Sequence, residues 1–124
     1  MALDYLDFDY SEDDEGTATW DALASVAAER LPALTAEVEQ LLGWAHRAFA
    51  GRRGPIEEGG DWDYDLHGMQ EMTAPEALHY DAATRQLSVE AGPPGKSRHT
   101  LTLSLSGTPA FCEAFIQQFG LNTD

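Results

Sequence analysis

The stretch Thr100-Leu101-Thr102-Leu103-Ser104-Leu105-Ser106-Gly107-Thr108-Pro109-Ala110-Phe111-Cys112 decides the fold. Its first seven residues alternate strictly between hydroxyl and apolar side chains. Successive residues of a strand face opposite sides, so this is a strand with one buried and one wetted face. At Gly107 the period changes. Thr108 suits an N-cap, and Pro109 suits the first helical position, where its missing N–H is not needed. Phe111, Cys112, Phe115, Ile116 and Phe119 then recur at helical spacing until Gly120, which predicts a helix over about 108–119.

Working outward, a second apolar stripe runs through Leu31, Leu34, Val38, Leu41, Ala45 and Ala48. Pro32 sits near its start, His46, Arg47, Arg52 and Arg53 lie near its carboxyl end, and Gly51 offers a cap, so a helix is predicted over about 31–50. Trp62, Tyr64 and Leu66 alternate with Asp61, Asp63, Asp65 and His67 as in a strand. Leu78-His79-Tyr80 and Gln86-Leu87-Ser88-Val89 flank a turn that opens on Asp81. Near the amino end, Leu6, Phe8 and Tyr10 alternate with Asp7 and Asp9, and Ser11 to Gly16 reads as a turn. Residues 17–26 are ambiguous. Thr17, Thr19, Trp20 and Val26 favour a returning strand that closes an acidic hairpin over 1–26, whereas Ala22, Ala24, Ala27 and Ala28 favour a helix. Taking the strand, the order is ββ-α-ββββ-α, an α+β fold in one domain spanning 1–124. Its antiparallel sheet, which includes the strands of 61–106, carries both helices on one face.

Length and composition set outer limits. At 13.5 kDa, a compact monomer exposes roughly 6,500 Å², and 43% hydrophobic residues supply a core. Cys112 is the single cysteine, which excludes an internal disulfide and a cysteine zinc site. The amino terminus lacks the basic-then-apolar pattern of a signal peptide and no run approaches a membrane span, so a cytoplasmic location is expected.

Charge is the unusual quantity, with 22 acids against 7 Lys plus Arg for a formal −15. Residues 1–21 hold eight acids and no Lys or Arg, and residues 57–81 hold eight more, again without one. Such a field repels nucleic acid and anionic membrane and attracts cations or basic protein surfaces. The polar sheet face is expected to carry Asp7, Asp9, Asp61, Asp63, Asp65, His67, His79, Thr100, Thr102 and Ser104. With the loop acids Glu12, Asp13, Asp14 and Glu15, it forms the candidate interaction surface.

Motifs that would carry chemistry are weak. Asp61-Trp62-Asp63-Tyr64-Asp65 opens like an EF-hand loop but has Leu66 where glycine and Met72 where glutamate are needed. Gly92-Pro-Pro-Gly95-Lys96-Ser97 resembles the end of a phosphate loop but leads into a strand, so no helix terminus faces a phosphate. There is no Gly-x-Ser-x-Gly elbow. On one strand, Asp63, Asp65 and His67 stand about 6.6 Å apart, so a metal site would need His79 and Asp81 from a neighbouring strand.

The reading that results is a non-catalytic acidic interaction module of inhibitor, immunity, adaptor or chaperone-like type, docking a basic surface and needing no cofactor. The alternative is a metal-assisted or acid–base enzyme on the polar sheet face. A homodimer stays open, and because acidic faces repel, it would use an edge or an apolar surface.

Overall fold

A computed structural model describes residues 3–121. The strands are β1 (Phe8–Glu12), β2 (Ala18–Ala27), β3 (Trp62–Met72), β4 (Glu76–Asp81), β5 (Gln86–Ala91) and β6 (Ser97–Gly107). The helices are α1 (Leu31–Ala48) and α2 (Pro109–Phe119). The fold is α+β in the predicted order, and every strand pairing is antiparallel. Four strands form the main sheet in the order β1-β2-β6-β3, while β4 and β5 form a separate two-stranded sheet.

Residues 18–27 are a strand because burial alternates along them. Ala18, Trp20, Ala22, Ala24 and Val26 point into the core, and Thr19, Asp21, Leu23 and Ser25 point away from it. The alanines that suggested a helix instead give the sheet a shallow surface under α1, which buries Leu34, Val38, Leu41 and Ala45. On the same face α2 buries Phe111, Cys112, Phe115 and Phe119. Thr108 Oγ1 accepts from the Phe111 backbone N–H at 3.5 Å and Gly120 ends the helix at φ 63°, so both predicted ends hold. The first helix stops at Ala48 rather than 50, with Phe49 as its cap and Gly51 in the turn beyond it.

The core is an aromatic stack. Trp62 lies parallel to Phe111 at 5.6 Å, Phe111 to Phe115 at 5.9 Å, and Phe8 and Trp20 meet Phe115 edge-on at 5.4 and 5.3 Å. Phe111 presses so closely on the end of β6 that a Cβ at Gly107 would lie 2.4 Å from its ring. Only glycine fits there.

Three expectations are corrected. The first strand begins at Phe8 and reaches Glu12. Leu6 is buried ahead of it in a coil held by Glu37, whose carboxylate accepts from the backbone N–H groups of Asp4, Tyr5 and Leu6. The second correction concerns Leu66, which shares a strand face with buried Trp62 yet is exposed, because β3 is an edge strand; Leu103, its partner one strand inward, is fully buried. The third is that β4 and β5 are not part of the main sheet. Met72 pairs with Ser97 and Glu76 with Ala91, so the β3/β6 ladder continues into β4/β5 as one long ribbon, interrupted at residues 73–75 and 92–96. At that break the Gly92 and Gly95 amides donate to the carbonyls of Pro75 and Thr73.

Candidate functional site

Both helices cover one face of the main sheet and leave the other open. Register fixes what that open face displays. One row across it reads Asp9, Asp21, Ser104, Asp65, and the next reads Ser11, Thr19, Ser106, Asp63. Asp9 stands directly opposite Asp21, a like-charge pair that costs stability. The Ser104 hydroxyl donates to Asp21. Three strand spacings, about 14 Å, separate Asp9 on one edge from Asp65 on the other. That exceeds the screening length of about 8 Å at physiological salt, so the face acts through a summed field rather than through one tight pair.

The carboxylates of 61–65 are not equivalent. Arg52 Nε donates to Asp61 at 2.6 Å and Arg53 Nε to Asp63 at 2.9 Å, while the Arg53 guanidinium lies 4.2 Å over the Tyr64 ring. The hydrogen bond from Arg52 holds the Asp61 carboxyl below the usual range. Asp61 precedes β3, and Asp65 is exposed with no ion pair among the described residues.

The hairpin acids also divide. Asp13 Oδ1 accepts from the Glu15 and Thr17 amides and shapes the turn, where Gly16 adopts φ 85°. Asp14 and Glu15 project into solvent. Glu12 lies toward the helices, where the Tyr10 hydroxyl donates to it at 2.7 Å and the bond pushes the Tyr10 pKa up to about 12. Asp7 precedes β1 and borders a hollow beside Phe119 and Gly120. The two acidic segments meet at one end of the sheet, in a cavity of about 440 Å³ lined by Asp13 and Glu15 from the hairpin turn and by Glu57 and Asp63.

The metal-binding alternative finds no assembled site. His79 and Asp81 sit on β4 in the separate sheet, and Asp63, Asp65 and His67 follow one another along β3. Among the described residues no three His, Cys, Asp or Glu side chains come together in an arrangement that could hold a metal ion. Cys112 is buried, its S–H points to the Gly107 carbonyl at 3.5 Å, and burial pushes its thiol pKa up, the reverse of what a nucleophile needs.

Asp21 is the site residue that sequence reasoning missed. The signal was present, since a strand over 17–26 places Asp21 on the side away from Trp20, but the alanine content left the element undecided. No protein-family model, no curated protein and no solved structure matches this chain. No helix among the described residues is long and apolar enough to cross a membrane.

Proposed function

We propose that this protein is a non-catalytic interaction module that docks a basic protein surface on its open sheet face. One observation carries the reading: a four-stranded face left bare by both helices displays Asp9, Asp21, Asp63 and Asp65 among serine and threonine hydroxyls. A rigid sheet presents these groups at fixed spacing, so little ordering entropy is lost on docking. Charge concentrated on one face steers a cationic partner and speeds encounter. The acidic cavity at the hairpin end suits a lysine or arginine side chain, with Asp13, Glu15, Glu57 and Asp63 as acceptors.

The test is a comparison of proteins captured from native lysate by the wild type and by Asp9→Asn/Asp21→Asn/Asp65→Asn, at low and at high salt. Basic proteins captured at low salt should be lost from the triple variant and from the wild type at high salt. The free variant should melt higher than the wild type at low salt, because the Asp9–Asp21 repulsion is removed, and the gap should narrow as salt is added. Capture that is indifferent to both salt and the substitutions would refute the proposal.

A further inference from the structure

The β4–β5 ribbon is amphipathic, yet none of the described residues covers its apolar side. Leu78 pairs with Val89 and Tyr80 with Leu87, so these four side chains share one face, while Ala77, His79, Ser88 and Glu90 share the other. The four are 61%, 57%, 59% and 60% exposed, respectively. Every residue from Asp65 to Ala91 is exposed, so the whole ribbon stands clear of the core. A two-stranded ribbon alone is at best marginally stable in water, and strict alternation along both strands is the pattern of a half-buried sheet.

We infer that the apolar face of this arm packs against the same face of a second copy of the chain about a two-fold axis. Two further observations select that occupant. The first is area. The molecule exposes 8,262 Å², about a quarter more than the roughly 6,500 Å² of a compact monomer of its mass. That excess is larger than the roughly 800 Å² each partner contributes to a stable interface.

The second observation is charge. Residues 73–96, the arm with its two connections, contain three acids (Glu76, Asp81, Glu90) and two bases (Arg85, Lys96), while the rest of the chain contains nineteen acids and five bases. The arm is therefore a surface on which two strongly acidic copies can meet with little charge repulsion. A basic partner, by contrast, is drawn to the body. The face is also self-complementary, since an isologous contact sets Leu78, Tyr80, Leu87 and Val89 against their own kind.

Sedimentation velocity over a concentration series tests the inference at low and high salt, using the full chain. The wild type should form a dimer that persists or tightens at high salt. Leu78→Lys/Val89→Lys should weaken it at least 100-fold. Leu23→Lys, an exposed apolar position on the body, should leave it unchanged. Hydrogen exchange at the arm amides should slow as wild-type concentration rises and should not do so in the arm variant. Near-ultraviolet dichroism from Trp20 and Trp62 reports that the core of each variant is intact. A wild type that stays monomeric up to about 100 µM at both salt concentrations overturns the inference. So does a dimer indifferent to the arm substitutions, or an arm protected only when a different protein is present. Loss of basic-partner capture by the Asp9, Asp21 and Asp65 variant bears on the open face alone and leaves the dimer standing.

Discussion

Removing the Glu37 carboxylate should detach the amino-terminal segment from α1 at a measurable cost in stability. Among the described residues this side chain is the one buried charged group, and it accepts three backbone N–H groups, those of Asp4, Tyr5 and Leu6, the latter two at 3.0 and 2.8 Å. Hydrogen bonds to a charged acceptor contribute about 1.5–3 kcal/mol each. The three do not add at full value, because Asp4 is exposed and Tyr5 half-buried, so their amides recover water when the carboxylate is gone. Only the Leu6 amide is fully buried. Glu37→Ala should therefore cost about 2–4 kcal/mol. Glu37→Gln should cost about half as much, since it keeps one carbonyl acceptor but turns an amide donor toward other donors. Urea unfolding of both variants checks the magnitudes, and hydrogen exchange at Tyr5 and Leu6 checks the cause. A Glu37→Ala loss below about 0.5 kcal/mol with the Leu6 amide still protected would refute the reasoning.

Two other expectations concern the core and the pH response. Phe115 is fully buried and touches the rings of Phe8, Trp20, Trp44, Phe111 and Phe119, so Phe115→Ala should cost about 3–5 kcal/mol and lower Tm by about 10–20 °C by calorimetry; a loss below about 1 kcal/mol would mean that α2 is peripheral. Tyr10 should ionise near pH 12 instead of its ordinary 10.0, because its hydroxyl donates to Glu12. A raised pKa in the folded state means the stabilisation is complete below pH 10 and is lost as pH rises through about 12. Ultraviolet titration of the tyrosines in Glu12→Gln should return Tyr10 toward the ordinary value.

Legibility followed the range of the interactions involved. Strand β6 and helix α2 could be read directly, since Leu101, Leu103 and Leu105 recur at two residues and Phe111, Phe115 and Phe119 at four. Hairpin β1–β2 was half legible. Its alanines are compatible with either period, and only packing under α1 makes Ala22 and Ala24 strand residues. Of the candidate surface, the separation of acids into two segments was plain in the sequence, but their distribution in space was not. The expected cluster of Asp7, Asp9, Asp61, Asp63 and Asp65 divides between both sheet edges, the Arg52 and Arg53 pairs, and the hollow beside α2.

By itself the sequence determined the element types outside residues 17–26, their order and the sidedness of the sheet, because each depends on the periodic placement of apolar side chains over a few neighbouring residues. Only the tertiary structure decided that β6 lies between β2 and β3, that Asp21 joins Asp9 and Asp65 on one face, and that β4 and β5 leave the body as an arm. Those outcomes rest on which strands pair and in what register. Pairing energy is shared between residues more than eighty positions apart, such as Asp21 and Ser104, and no local pattern in either strand encodes it.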